Sequence, residues 1–105
     1  MANKQELIRF LDQHVFDPIL KASPERFDDA DRKRLEDVQE RTRSEKDRFH
    51  NYSSAEDVVN NFKSDLHSAA ARRVNDELKK LKLPTLPSVR DQFLEIAENN
   101  AEQHR

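Results

Sequence analysis

The chain has 105 residues, of which 34% are apolar and 38% charged, and it carries a net charge of −2. That length suits one domain, and so small an apolar share predicts a thin core with broad solvated faces. Cys and Gly are both absent. Without Cys there is no disulfide framework, no thiolate metal site and no Cys nucleophile. Without Gly, the Walker A loop, the dinucleotide fingerprint and the nucleophile elbow lack the residue that lets backbone approach phosphate or turn sharply. A Gly-free chain rich in Glu, Lys, Arg, Leu and Ala is expected to be all-helical, because these are favoured helix formers. No apolar run approaches the roughly 20 residues of a membrane span. Residues Met1 to Glu6 show no signal-peptide pattern. A cytoplasmic protein that does not engage the membrane is the expectation.

The first helix is predicted from about Lys4 to Phe16, with Asn3 at the N-cap and Glu6 at N3. Leu7, Ile8, Leu11 and Val15 form its apolar stripe, which Phe10 widens. Pro18 disfavours helical geometry at Asp17, so the helix is expected to end or kink there. Ser23-Pro24 and Asp28-Asp29 are two further start signals. The segment from Asp29 to His50 is helical in propensity but thinly apolar, with Phe27, Leu35, Val38, Phe49 and Tyr52 roughly on one side. Between Val38 and Phe49, the core positions fall on Thr42 and Glu45. This helix is therefore expected to pack at both ends and to be solvated, or to meet a partner, in its middle.

Asn51-Tyr52-Ser53 is a break, with Asn51 expected in the left-handed conformation and Ser53 or Ser54 capping the next helix. From Ala55 to Leu81 the apolar residues keep a period near 3.6, which predicts one long central helix. Two prolines in Leu83-Pro84-Thr85-Leu86-Pro87 end it, and Pro87 can open the last helix. Val89, Phe93, Leu94, Ile96, Ala97 and Ala101 form the stripe of that helix, and its tail is expected to fray from about Asn99. Four to five helices with short connections, interrupted by prolines, predict a single all-α domain over residues 1–105, built as a small irregular bundle or orthogonal array.

The motifs that carry chemistry are sparse. His14, His50, His67 and His104 show no HExxH spacing. Asp28, Asp29 and Asp31 are the densest acidic cluster, which a helix N-terminus explains. No EF-hand loop fits, because that loop needs Gly at its turn. No catalytic residue, cofactor site or metal site is predicted. A general acid–base site would need a pocket that keeps a carboxylate partly dry, which a thin helical core rarely encloses. Residues 63–82 carry a net +3, against −2 for residues 1–30 and −2 for residues 83–105. Arg72, Arg73, Lys79, Lys80 and Lys82 on this stretch could meet phosphates, yet the acidic chain favours a solvated, ion-paired face. Phe49, His50 and Tyr52 surround the break and would form a recognition corner if exposed; packing of Phe49 and Tyr52 into the core is the preferred reading. The alternating charges from Asp31 to Arg48 predict ion pairs Asp37–Arg41, Arg32–Glu36 and Glu45–Arg48.

In general make-up the chain looks like the small helical proteins encoded in bacterial genomes, a likeness that assigns no catalytic or binding residue. The expected function is a non-enzymatic helical module that binds a protein partner or a second copy of itself. The alternative is a nucleic-acid-associated regulator using the basic face.

Overall fold

A computed structural model describes residues 3–98 in full and 99–103 as helical backbone. The fraying expected from Asn99, the stripe position Ala101 and His104 lie outside the fully described residues. Among the described residues the chain is all-helical, with no strand.

The first element continues past its predicted end. α1 (Lys4–Leu11), a π-helical turn (Asp12–Phe16) and α2 (Asp17–Leu20) form one unbroken arm. Asn3 caps it as expected, its side chain accepting from the Glu6 N–H at 2.8 Å. The expected termination at Asp17 does not occur: Asp17 is helical, with φ −66° and ψ −42°, and its N–H reaches the Asp12 carbonyl five residues back. In a regular α-helix the Pro18 ring would press on the carbonyl four residues earlier. The wider π turn relieves that clash, so the proline shifts the hydrogen-bond register and the helix goes on. Leu7, Leu11, Phe16 and Ile19 are all buried along this arm.

A 3₁₀ turn (Pro24–Arg26) leads to α3 (Asp29–His50). Asp28 caps α3 by accepting from the Asp31 N–H at 2.9 Å. Gln39 of α3 donates to the carbonyls of Ile19 and Ala22, each at 3.1 Å, and so satisfies the open end of α2. Lys46 adds an ion pair to Asp17 at 2.7 Å. At the other end of α3, Asn51 is right-handed (φ −91°) rather than left-handed, and its side chain donates to the Asp47 carbonyl at 2.9 Å.

The predicted 27-residue helix is two. α4 (Ala55–Asp65) starts at the Ser54 cap, and α5 (Ala69–Lys80) starts at Ser68, whose hydroxyl accepts from the Ala71 N–H at 3.0 Å. An unbroken helix of that length would run about 40 Å in one direction. The break lets α4 pack on α1 while α5 packs on α3. It also leaves Ala69 and Ala70, expected in the stripe, on the surface.

α5 ends in a Schellman motif. The Leu83 N–H bonds to the Leu78 carbonyl at 2.9 Å, and the Lys82 N–H to the Lys79 carbonyl at 3.0 Å. Lys82 therefore lies beyond the helix, in the left-handed conformation (φ 61°) that normally falls to Gly. Thr85 and Ser88 then exchange side-chain and backbone hydrogen bonds, and a 3₁₀ turn (Pro87–Val89) opens α6 (Arg90–Gln103). α6 packs on α1, with Val89, Phe93 and Ala97 of its stripe buried and Leu94 and Ile96 half-buried.

The core has two aromatic centres. Phe62 and Phe93 lie 4.1 Å apart where α4 meets α6. Phe16 and Phe49 lie 5.7 Å apart where the arm meets α3. Counting the arm once, five helices form a small irregular bundle among the described residues.

Replacing Lys82 with Gly removes a Cβ from a left-handed residue and leaves the fold's contacts in place. Lys82→Gly is expected to raise stability by about 1 kcal/mol, read as a higher urea midpoint with an unchanged slope. A lower midpoint would mean that the Lys82 side chain itself supports the turn.

Candidate functional site

The middle of α3 is not solvated. Its apolar register runs Leu35, Val38, Thr42, Glu45, Phe49, spaced three and four residues apart. Thr42 is 3% exposed. Glu45 is half-buried and enters a groove of about 260 Å³ between α3 and α5. Phe16 and Ile19 of the arm lie at the base of this groove, Val74 and Leu78 form its α5 wall, and Leu86 contributes from the loop that follows. Arg41 and Ser44 stand at its exposed rim.

Two carboxyl groups and one guanidinium meet at the end of the groove near the α4–α5 break. Arg48 donates to Glu45 at 3.5 Å and to Asp65, the last residue of α4, in a short ion pair. Burial pushes the Glu45 carboxyl up to about 8, from an ordinary value of 4.5. A hydrogen bond with Asp65 and the charge of Asp65 push it the same way, and Arg48 only partly opposes them. Burial and Asp65 together thus favour the protonated form of Glu45. Tyr52 lies beside this cluster, and burial raises its hydroxyl above the ordinary value. The partly dry carboxyl that a thin core was expected to lack is present, held by a helix that exposes most of its remaining surface.

The residues singled out in the sequence are scattered. Phe49 is fully buried and packs edge-to-face on Tyr52 at 5.2 Å, so the core reading of this pair holds. His50 is exposed, and its Nε2 lies 3.0 Å from Asp12 of the arm. The His50 carbonyl accepts from Lys4 at 2.9 Å. No group of three or more His, Cys, Asp or Glu side chains that could hold a metal forms among the described residues. Arg72, Arg73, Lys79 and Lys80 project from α5 into solvent, and Lys82 lies exposed past its end. Of the predicted ion pairs, Asp37–Arg41 forms at 3.4 Å and Glu45–Arg48 at 3.5 Å. Arg32 pairs with Asp29 instead of Glu36. None of the five basic residues forms an ion pair with another described residue, so the expected neutralisation of that face is not seen.

Glu45 and Asp65 were the residues not chosen from the sequence as a site. The signal for Glu45 was its register, four residues before Phe49 and three after Thr42. Asp65 had no local signal, because a single helix from Ala55 to Leu81 places it on an ordinary turn. No family model, curated protein or solved structure matches the chain, so the geometry stands alone.

In the unfolded chain Glu45 ionises near 4.5, and in the folded protein near 8. Between these values the native state binds the extra proton, so Glu45 makes stability fall as pH rises. The slope it contributes is at most about 1.4 kcal/mol per pH unit. Glu45→Gln, which mimics the neutral acid, is expected to raise the urea midpoint above wild type at about pH 8.5, with the difference shrinking toward about pH 5. Parallel pH profiles for the two proteins would show that Glu45 is ionised throughout.

Proposed function

We propose that the protein is a cytoplasmic, non-enzymatic helical module that binds an apolar segment of another protein in the α3–α5 groove. The observation behind this reading is the groove itself, an open channel in which half-exposed Val74, with Ala70 and Ala71, lies beside a half-buried carboxyl and over a floor of buried Phe16, Ile19 and Leu78. Apolar walls with a small number of placed polar groups are the usual make-up of a binding site. The carboxyl pair is assigned to binding because Glu45 and Asp65 both contact Arg48, which holds them as a fixed polar end to the groove. A short amphipathic peptide panel, titrated into labelled protein, is expected to shift the amides of Thr42, Ser44, Ala71 and Val74. Sedimentation in parallel is expected to show a monomer. A dimer whose interface includes those same residues would replace the foreign partner with a second copy.

The nucleic-acid reading draws on one specific observation, the unpaired state of Arg72, Arg73, Lys79, Lys80 and Lys82 among the described residues. Such a face gains affinity by releasing counterions from phosphate. Under the groove reading, a gel-shift titration at low salt shows no complex up to about tens of micromolar protein. A complex that disappears on Arg72→Glu/Arg73→Glu would move the assignment to nucleic acid.

A further inference from the structure

With Arg41 paired outside the groove, the charges at the Glu45–Asp65 end balance only with a proton on Glu45. Arg41 is committed to Asp37, at 3.4 Å. Arg48 is shared between Glu45 and Asp65. The arm contributes Val15, Phe16 and Ile19, and α5 lines the groove with Ser68, Asn75 and apolar residues. Neither brings a charged side chain to the lining. Two carboxyl groups therefore share one guanidinium, and a proton on Glu45 stands where a second positive charge would balance the pair. Just past that point the groove wall is aliphatic, with Val74 and Leu78 one turn apart on α5.

We infer that the groove's occupant is a partner segment presenting a lysine or arginine beside aliphatic side chains, with the cationic group settling on Glu45 and Asp65. This rests on the groove reading above and specifies its partner. A cation placed there replaces the Glu45 proton: the O–H bond breaks, the proton leaves to solvent, and the carboxylate pairs with the incoming ammonium or guanidinium. Binding is then coupled to proton release and strengthens as pH rises. The aliphatic neighbours would cover Val74, Ala70 and Ala71 and give the contact its hydrophobic share.

The test uses three probes of equal chain length, n-hexylammonium, n-hexanol and n-hexanoate, followed through the amides of Thr42, Ala71 and Val74 in the full chain. Hexylammonium is expected to bind at least about tenfold more tightly at about pH 8.5 than at about pH 6, since each pH unit below the ionisation of Glu45 weakens it up to tenfold. Calorimetry in two buffers of different ionisation enthalpy should register the released proton. Hexanol is expected to bind without pH dependence, and hexanoate least of all. Glu45→Gln should bind hexylammonium as weakly at high pH as wild type does at low pH, and without pH dependence. Equal, pH-independent binding of hexylammonium and hexanol would overturn the cation inference and leave the apolar groove reading intact. If no probe shifted the groove amides at millimolar concentration, both would fail.

Discussion

The ring of Phe16 lies against that of Phe49, and the position of the site follows from that contact. Phe49 is near the C-terminal end of α3, and Phe16 is the last residue of the π turn in the arm. Both are fully buried, and removing a buried Phe ring typically costs about 3–5 kcal/mol. The contact fixes the rotation of α3 about its own axis. With Phe49 turned toward the arm, Glu45 and Thr42, one and two turns back, must face the same side. They are therefore drawn into the interface although they are polar. Gln39 and Lys46 complete the seam by satisfying α2's carbonyls and Asp17. The π turn belongs to the same arrangement. It carries Phe16 to the core while accommodating Pro18, so the proline helps to aim the ring that orients α3.

Turning without glycine is the second constraint on the fold. Each reversal uses residues that carry a Cβ, so hydroxyl and amide side chains take over the backbone donors that a tight glycine turn would leave to water. Ser54, Ser68 and the Thr85–Ser88 pair do this at three junctions. These signals are local, which is why most of the fold was legible in the sequence: the caps at Asn3, Asp28 and Ser54, the full extent of α3 and the last helix all follow from composition and spacing. What could not be read was any outcome settled by competition between a local signal and a distant contact. Pro18 argued for a stop, but burial of Phe16 and Ile19 favoured continuing the helix. The stripe from Ala55 to Leu81 argued for one helix, yet Ser68 caps a second one, and the two halves pack on different helices, α1 and α3.

The site was less legible for a related reason. Periodicity identifies a core position by its register and says nothing of the environment it meets. Glu45 occupies such a register, and a carboxyl there reads most simply as a gap in the stripe. Its burial depends on α5 folding back beside α3, which depends on the break at Ser68. That same break brings Asp65 to Arg48. Arg48 stands one turn from Glu45, so their pairing was predictable. The addition of Asp65 from α4 was not, because nothing in the spacing brings the end of that helix to the middle of another.

The groove also lies where the structure has least to hold it closed. α5 buries Leu78 alone among its own residues, and Leu81 just past its end, whereas α3 buries four side chains and α1 three. An element with few buried side chains opens at low free energy. The tie between α3 and the end of α4, just before the break that leads to α5, runs through Arg48 and Asp65, a contact made of charge, and charged contacts at partial exposure contribute little net stability. An apolar wall on a lightly anchored helix, hinged at a serine cap and facing a rigid 22-residue helix, is mechanically suited to adjust to an inserted chain. The rigid half of the groove carries Glu45 and Arg48, and the adjustable half carries Ala71 and Val74. Polar recognition would thus be set by the fixed wall, while the aliphatic wall adapts in shape, since hydrophobic contact is not directional and tolerates such movement.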